Sequence, residues 1–345
     1  MFVMYGLIFG KFAPLHNGHV NFIKESAKHC DTLVVVVSYD DKFNVKQTGF
    51  WKKYLTLENR LEWLNKEFKD YDDIIITYVD ESGLKGYPNS WQEYANLVYD
   101  AFYDATGVKS PNMVFSSEWE YDDGIKTYFP ESVHVVIDSN RKAVTISATQ
   151  IREHLYVHWE YLPRSVQFTL AKKIALIGIE STGKTSLSER LAKHYVAPVV
   201  PEFAKEFIIN ELKGVEKNID DNHYDMFATK QLESIWELYD GSELVFIDTN
   251  AFITGFYQRL YTGKISKHVE QLLQSEEYDL ILYLDNDVEW IDDGMRYHGT
   301  PTLRQKAKVL FELMLLEYNI NYVKINGSHD ERFKSAIKHI NEALR

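Results

Sequence analysis

The sequence contains a single cysteine, Cys30, among 345 residues. One cysteine cannot form an intramolecular disulfide, and it cannot supply a cysteine-rich metal site. We expect Cys30 to be a half-buried helix thiol, which is an ordinary setting for a lone cysteine. Folds that depend on intramolecular disulfides or on cysteine-rich metal sites are therefore excluded.

The chain also lacks a long apolar run and any internal repeat. Its longest apolar run, residues 33–37, has the length of a buried strand and is too short to span a membrane. The N-terminus does not show a basic region followed by a long apolar stretch, as a secretory signal does. We therefore expect a cytoplasmic protein that has no membrane partner.

Positive charge is scarce, since 38 basic residues stand against 51 acidic ones and the formal net charge is −13. A broad nucleic-acid interface needs a basic stripe that displaces counterions from the phosphate backbone. We therefore expect no nucleic-acid partner. Anionic small molecules remain suitable ligands, because helix N-termini and a few cationic side chains are enough to bind them.

The chain does contain short apolar runs that alternate with helical stretches. This alternation is typical of α/β domains in which a mainly parallel sheet is covered on both faces. The chain length fits two such domains, and an interruption near residues 161–164 separates residues 1–163 from residues 164–345. The predicted strands are residues 5–9, 33–38, 74–79, 113–116 and 133–137 in the first domain, and 173–178, 196–200, 244–248, 280–285 and 322–325 in the second.

A loop with glycine and histidine follows the first predicted strand and enters a helix. Gly10 lets the backbone approach a ligand closely, and Lys11 and Phe12 follow it. His16 and His19 lie near the helix start, where both imidazoles can donate hydrogen bonds to the phosphate oxygens of one ligand. The alternative is that both histidines face solvent.

A second segment, far along the chain, has the features of an anion-binding helix start. Ser147 or Thr149 can cap a helix whose first N–H groups then face a phosphate. Arg152 can reach the same phosphate with its planar guanidinium group. Taken alone, the segment could also be an ordinary capped helix.

Together the motifs G-x-F-x-P-x-H-x-G-H and I-S-x-T-x-x-R resemble the H-x-G-H nucleotidyltransferase superfamily. The resemblance implies a Rossmann-like domain in which a substrate phosphate attacks the α-phosphate of ATP in line and pyrophosphate leaves. It also implies that His16 and His19 stabilise charge on the transferring phosphorus. Lys11 and Arg152 would hold the polyphosphate, with assistance from Mg²⁺.

The sequence from Gly178 to Thr185 fits the P-loop pattern G-x-x-x-x-G-K-[ST] without deviation. A predicted strand precedes it and a predicted helix follows it, as the motif requires. Backbone N–H groups of such a loop cradle the phosphates of ATP, Lys184 neutralises them, and the Thr185 hydroxyl binds Mg²⁺. The residues expected to contact nucleotide are Gly178, Ser181, Thr182, Gly183, Lys184, Thr185 and Ser186.

Carboxylates at predicted strand ends are candidates for the remaining chemistry of this second site. Asp248 and Asp285 both end an apolar strand, which is the usual place for a carboxylate that orients Mg²⁺, and we favour Asp248. Glu202 is a candidate general base, or else a first-turn acid that complements a helix dipole. Arg296 and Arg304 are expected in a lid over the phosphates, although Arg304 also suits an exposed helix face.

A nucleotidyltransferase domain followed by a P-loop kinase domain is an uncommon order. With P-E-F-A-K-E, I-D-T-N and W-x-x-D-G-x-R in its second half, the chain resembles the bifunctional NadR family over nearly its whole length. The resemblance implies an ATP-dependent kinase that converts nicotinamide riboside to its mononucleotide, NMN, and an adenylyltransferase that joins NMN to AMP and gives NAD⁺. Some members carry an N-terminal DNA-binding module, which we expect to be absent here because the first strand begins so early.

The resemblance also implies substrate contacts, and two other functions stay open. Trp119, Trp290 and Tyr297 are candidates for binding substrate, and the alternative for each of them is a packing residue. Arg60 either belongs to the nucleotide site or is an exposed helix residue. The alternative functions are a fused phosphopantetheine adenylyltransferase and dephospho-coenzyme A kinase, where threonine usually replaces His16, and a nucleotide-sensing regulator without catalysis. A homo-oligomer is possible.

Overall fold

The computed structural model describes residues 3–86, 89–138, 144–214, 218–288 and 301–344. They form two compact units, Met1–Leu170 and Ala171–Arg345. No helix within these ranges is long and apolar enough to cross a membrane.

The first unit is built on a five-stranded parallel sheet with the order β3-β2-β1-β4-β5. Its strands are β1 (Tyr5–Gly10), β2 (Thr32–Tyr39), β3 (Ile74–Asp80), β4 (Met113–Ser116) and β5 (Val133–Val136). Its helices are α1 (Asn17–Ala27), α2 (Asp41–Val45), α3 (Gly49–Tyr54), α4 (Leu57–Glu67), α5 (Trp91–Thr106), α6 (Asp122–Tyr128), α7 (Ala148–Glu153) and α8 (Arg164–Leu170), with 3₁₀ turns at Trp119–Tyr121 and Tyr156–Tyr161.

The apolar run in β2 is fully buried because helices cover both faces of the sheet. All five strands are parallel, so the loops that follow β1, β4 and β5 leave the sheet at the same edge. Helix α8 belongs to this unit because it packs on α4: Trp63 Nε1 donates to Thr169 Oγ1 at 2.8 Å. The unit boundary thus falls after α8, whereas the sequence placed it before this helix.

The second unit has its own five-stranded parallel sheet, with the order β10-β9-β6-β8-β7. Its strands are β6 (Lys172–Ile177), β7 (Val199–Val200), β8 (Leu244–Asp248), β9 (Leu280–Leu284) and β10 (Val323–Ile325). Its helices are α9 (Lys184–Tyr195), α10 (Phe203–Asn210), α11 (Asp221–Leu238), α12 (Ala251–Thr262), α13 (Lys267–Ser275), α14 (Pro301–Glu317) and α15 (His329–Ala343).

Two apolar layers cover the faces of this second sheet. Helices α9 and α15 contribute to one layer, and α11 to α14 contribute to the other. The predicted fold class, two α/β domains with mainly parallel sheets, is confirmed.

Two local expectations are wrong, and one of the two alternatives for Arg60 is excluded. Cys30 is half-buried but lies just after α1 rather than within it, and burial raises the pKa of its thiol to about 11. The predicted strand at residues 196–200 shortens to Val199–Val200, because Val196 adopts a left-handed φ of 53° as the C-cap of α9. Arg60 is fully buried rather than exposed.

Candidate active sites

In the first unit, the loop between β1 and α1 is organised by a histidine cap. His16 is the N-cap of α1 and is 6% exposed. Its Nδ1 accepts hydrogen bonds from the backbone N–H groups of Gly18 at 3.1 Å and His19 at 3.4 Å. Because Nδ1 acts as an acceptor, the ring proton of a neutral His16 lies on Nε2, where it can serve as a donor to an anion.

The two histidines of the motif are in direct contact. The rings of His16 and His19 stack with centroids 3.7 Å apart and an interplanar angle of 24°. Two protonated imidazoles would repel at this distance unless an anion lay beside them. Gly18 is required between them, because a Cβ there would lie 2.9 Å from the His16 ring.

The rest of the loop places aromatic and cationic groups around these histidines. Phe12, at a φ of 46°, packs edge-on against His19 with a centroid distance of 5.1 Å. Lys11 Nζ lies 2.5 Å from Glu81 Oε1 and 3.6 Å from an Asp40 carboxylate oxygen. The atoms nearest to a Cβ on Gly10 would be those of the Phe12 ring, at 3.5 Å, which is ordinary van der Waals contact. Glycine at this position therefore leaves open space but is not needed to avoid a steric clash.

The structure brings the second predicted segment to this loop. Ser147 caps α7 in a reciprocal capping box with Gln150. Arg152 donates from Nη1 to the carbonyl of Ala13 at 2.5 Å and from Nη2 to Thr149 Oγ1 at 2.9 Å. Burial lowers the pKa of Arg152, yet a guanidinium stays charged at neutral pH. The two motifs therefore form one candidate anion site.

A hydrogen-bonded chain between β4, β5 and α6 could not be predicted from the sequence. Ser116 Oγ lies 2.8 Å from His134 Nε2, and His134 Nδ1 lies 2.9 Å from Asp122 Oδ1. Trp119, a predicted substrate contact, is 65% exposed and lies edge-on to His134. No sequence spacing signals this chain, because its members come from three elements that only the fold brings together.

In the second unit, the P-loop runs from β6 to α9 as predicted. Gly178 is required because a Cβ there would lie 2.8 Å from the carbonyl oxygen of Leu284. Gly183 has a left-handed φ of 81° and is the N-cap of α9. Lys184 Nζ donates to the carbonyls of Gly178 at 3.0 Å and Ile179 at 3.3 Å, so its ammonium group lies against the backbone of the loop.

A hydroxyl–carboxylate pair lies where the P-loop enters α9. Thr185 Oγ1 donates to Asp248 Oδ2 at 2.6 Å. Asp248 Oδ1 is buried without a hydrogen-bond partner among the described residues, and burial raises the pKa of this carboxyl group. An oxygen pair with one unsatisfied carboxylate atom suits a hard divalent cation.

The competing aspartate is already neutralised. Asp285 binds Lys308 Nζ at 2.6 Å and Lys324 Nζ at 2.9 Å. Burial alone would raise the pKa of Asp285, but the two lysines outweigh it and lower the pKa to about 2. Its negative charge is already balanced by two lysines, which supports the choice of Asp248 as the carboxylate that orients Mg²⁺.

A cleft of about 350 Å³ adjoins the P-loop. The predicted nucleotide contacts that line it are Ser181, Thr182, Gly183, Lys184, Thr185 and Ser186. Glu202, the N-cap of α10, lines the same cleft, and burial raises the pKa of its carboxyl group.

Aromatic side chains that the sequence did not single out form another wall of this cleft. They are Tyr224 and Phe227 of α11 and Tyr257 and Tyr261 of α12. The rings of Tyr257 and Tyr261 are stacked, with centroids 6.1 Å apart. Because the chain holds 23 tyrosines, only their position at the cleft distinguishes these from packing residues.

The predicted lid is only partly within the described residues. Arg304 lies on α14 and lines a small cavity with Ile179 and Glu180 of the P-loop. Arg296, Trp290 and Tyr297 lie outside the described residues, so their predicted roles stay predictions.

Comparison with known families agrees with this division into two sites. Residues 7–154 match the family described as Cytidylyltransferase-like, and residues 173–332 match the family described as AAA domain. Each match spans the loop that was identified above as a phosphate-binding candidate.

Comparison with individual proteins covers both units at once. The chain is 29% identical to the "Trifunctional NAD biosynthesis/regulator protein NadR" of Salmonella typhimurium, over 98% of this chain and 83% of the relative. It is 28% identical to a NadR protein solved in complex with NR, with a TM-score of 0.73, over 99% of this chain and 96% of that one. A NadR structure with NAD and AMP-PNP matches with the same identity and coverage and a TM-score of 0.68.

Proposed function

We propose, from the premise that this chain is a homologue of the NadR proteins along nearly its whole length, that it makes NAD⁺ from nicotinamide riboside in two ATP-dependent steps. The second unit phosphorylates the riboside to NMN, and the first unit transfers AMP from ATP to NMN. The observation that carries the proposal is the presence, in one chain, of two complete phosphate-binding loops, each at the carboxyl edge of its own parallel sheet.

In the kinase step, the 5′-hydroxyl oxygen of the riboside attacks the γ-phosphorus of ATP, and the bond to the β-phosphate oxygen breaks. Glu202 accepts the hydroxyl proton, since it lines the same cleft as the P-loop. Lys184 moves from the loop carbonyls to the phosphate oxygens and stabilises their charge. The aromatic wall of the cleft offers stacking faces for the flat cationic nicotinamide ring.

Mg²⁺ is the metal that this chemistry implies, and the residues of the second unit fit it. Thr185 and Asp248 present two oxygens side by side, one of them a buried carboxylate atom without a partner among the described residues. When bound, the ion neutralises charge on the β- and γ-phosphates. The Thr185 hydroxyl would hold it directly, and Asp248 would orient its ligands.

In the transferase step, a phosphate oxygen of NMN attacks the α-phosphorus of ATP and pyrophosphate leaves. His16 and His19 donate to the oxygens of the transferring phosphoryl group, and if both rings are protonated the anion also offsets the repulsion between them. Arg152 lies beside the same loop and holds the polyphosphate with its guanidinium group. No protein nucleophile is needed, because the reacting groups only have to be positioned and neutralised.

The proposal is tested by incubating the purified chain with nicotinamide riboside and ATP-Mg²⁺ and separating the products by chromatography. NMN and NAD⁺ are expected. Phosphopantetheine and dephospho-coenzyme A, offered in parallel, distinguish the coenzyme A alternative, and binding of ATP without any product would favour a sensor. A chain that forms neither NMN nor NAD⁺ does not have the proposed function.

A further inference from the structure

Each unit contains a fully buried arginine that lies outside the phosphate-binding motifs. Arg60 on α4 is 0% exposed, and Arg332 on α15 is 2% exposed. Burying a guanidinium is costly unless its N–H groups are satisfied. The hydrogen-bond partners of these two arginines include the backbone of the two candidate phosphate-binding loops, although Nε of Arg60 is buried without a hydrogen-bond partner among the described residues.

Arg332 joins three segments of the second unit. Its Nη1 donates to the carbonyl of Thr182 in the P-loop at 2.6 Å, although these residues lie far apart in sequence. Its Nη2 donates to the carbonyl of Asp285 after β9 at 2.8 Å, and its Nε donates to the carbonyl of Gly327 after β10 at 2.8 Å. The carboxylate of Asp287 also binds Nη2 and fixes the plane of the guanidinium.

The contact with Thr182 bears on how the P-loop presents its donors. A trans peptide unit is planar, so the direction of the Thr182 carbonyl sets the direction of the N–H group of Gly183. When Arg332 holds the carbonyl on the outer side of the loop, the Gly183 N–H points to the opposite side. Thr182 and Gly183 both line the cleft, and we infer that this opposite side is the phosphate cradle.

Arg60 makes the corresponding contact in the first unit. Its Nη1 donates to the carbonyl of Lys11 at 3.3 Å, and its Nη2 donates to the carbonyl of Leu55 at 2.8 Å and to the side-chain oxygen of Asn44. By the same planarity, the Lys11 carbonyl sets the direction of the Phe12 N–H group. Phe12 has a φ of 46°, a conformation that a non-glycine residue keeps only when its surroundings hold it.

Arg60 also belongs to a group of cations gathered around one ring. Lys11 Nζ, Arg60 Cζ and Arg152 Cζ lie 5.3, 5.8 and 5.4 Å from the centroid of the Phe43 ring. Burial lowers the pKa of Arg60 to about 10, which leaves it charged at neutral pH. Arg60 therefore adds positive charge next to the Lys11 carbonyl that it holds.

We propose that Arg332 and Arg60 are positioning residues that aim backbone N–H groups of the two loops at the phosphates of ATP. This inference rests on the proposed function, since it assumes that both loops bind ATP. Neither arginine is assigned a contact with substrate. Each acts through a backbone carbonyl, so its loss should weaken ATP binding and turnover in its own unit and leave the other unit unchanged.

The first experiment compares Arg332→Lys and Arg332→Met with Arg190→Lys. Arg190 is a matched control, because it lies on α9 and binds Asp330 and the Phe333 ring of α15, and among the described residues it has no hydrogen bond to the P-loop. Lysine keeps the charge but cannot reproduce the forked contacts. In folded Arg332→Lys, KM for ATP in riboside phosphorylation should rise about tenfold and kcat should fall about tenfold, as expected for a slightly misplaced loop. KM for ATP and kcat in NMN adenylylation should be unchanged.

The second experiment makes the reciprocal comparison with Arg60→Lys and Lys66→Met. Lys66 is the control on the same helix, where it pairs with Glu62 at the surface. Arg60→Lys should raise KM for ATP and lower kcat in NMN adenylylation alone. A purely structural role predicts another pattern, in which the fraction of active protein falls and KM for ATP is unchanged, and that pattern would overturn the proposal for the arginine concerned.

A binding measurement separates this inference from the proposed function. Calorimetric titration with a non-hydrolysable ATP analogue should resolve two sites in the wild-type chain. Folded Arg332→Lys and Arg60→Lys should each weaken a different one by about tenfold, whether or not the wild type turns over nicotinamide riboside. If the wild type makes no NMN or NAD⁺, the proposed function fails while the positioning role is still read from binding. Wild-type affinities in both folded variants would reject the positioning role.

Discussion

Thr185 and Asp248 are joined by a 2.6 Å hydrogen bond between Oγ1 and Oδ2, across the start of α9 and the end of β8. The bond leaves the second carboxylate oxygen of Asp248 buried and without a hydrogen-bond partner among the described residues. Such an arrangement is costly in the absence of a cation, since burial opposes the charged form of the carboxyl group. The pair therefore fits the Mg²⁺ site that we propose for the second unit.

Asp248→Asn should remove most of the kinase activity. Asparagine keeps the oxygen that accepts from Thr185 but loses the negative charge, so the metal is held less tightly. We expect riboside phosphorylation to fall about 100-fold at fixed Mg²⁺, as for the loss of a major electrostatic contact. The required Mg²⁺ concentration should rise as well, which is measured by titrating the metal. Asp285→Asn is the matched comparison, and an equal rise in its Mg²⁺ requirement would contradict the assignment.

Lys184→Ala and His19→Ala should have opposite effects. Lys184 lies on the P-loop and His19 on the loop after β1, and each loop belongs to its own unit. Lys184→Ala should lower riboside phosphorylation at least about 100-fold and spare NMN adenylylation, and His19→Ala should do the reverse. Both rates are measured on the same folded preparation. If either variant lost both activities together, the two sites would not be independent.

Gly18→Ala should impair the transferase without a gross change in fold. The new methyl group would lie 2.9 Å from the His16 ring, which must then shift from its stacked position beside His19. We expect NMN adenylylation to fall about tenfold or more, because small displacements of positioned groups are costly in rate. Gly49→Ala is the control, since a Cβ at that position has no described atom within 4 Å apart from its chain neighbours and its own helix backbone. Unchanged kinetics in Gly18→Ala would show that the ring stack is not needed.

The parts of the sites that could be predicted from sequence are those encoded locally. A P-loop and an H-x-G-H loop each need only a strand, a short run of fixed residues and a helix, and both lie where expected. The role of Asp285 could not be read this way, because Lys308 and Lys324, which neutralise it, come from other elements. The role of Arg332 could not be predicted for the same reason, since its three carbonyl acceptors follow three different strands that come together only in the fold.

The kinase activity should fall at acidic pH, and this fall should occur at a higher pH than the usual pKa of a glutamate. Glu202 must lose its proton to act as a base, and burial raises the pKa of this carboxyl group. The activity should therefore fall as the pH drops through a raised pKa, rather than near the usual value for glutamate. Glu202→Gln should lower kcat and abolish this fall in the pH dependence of kcat/KM. A fall that persists in Glu202→Gln would assign it to another group.

Glu276 should make the stability of the second unit depend on pH. Its carboxylate accepts from the Ala251 N–H group at the start of α12, at 3.1 Å and 3.3 Å from its two oxygens. Burial raises the pKa of Glu276 from 4.5 to about 7, so between these values the folded chain keeps a proton that the unfolded chain has lost. The resulting stabilisation is fully present below pH 4.5 and is lost as the pH rises through 7.

At about 1.4 kcal/mol per pH unit, the free energy of unfolding should fall by at most about 3.5 kcal/mol across this window because of Glu276. Glutamine resembles the protonated carboxyl group and does not titrate, so Glu276→Gln should flatten the profile and be more stable than wild type above pH 7. Urea denaturation from pH 4.5 to 8 measures this difference, and the exposed Glu211→Gln controls for the change in net charge. Parallel profiles for wild type and Glu276→Gln would mean that Glu276 does not hold its proton in the folded chain.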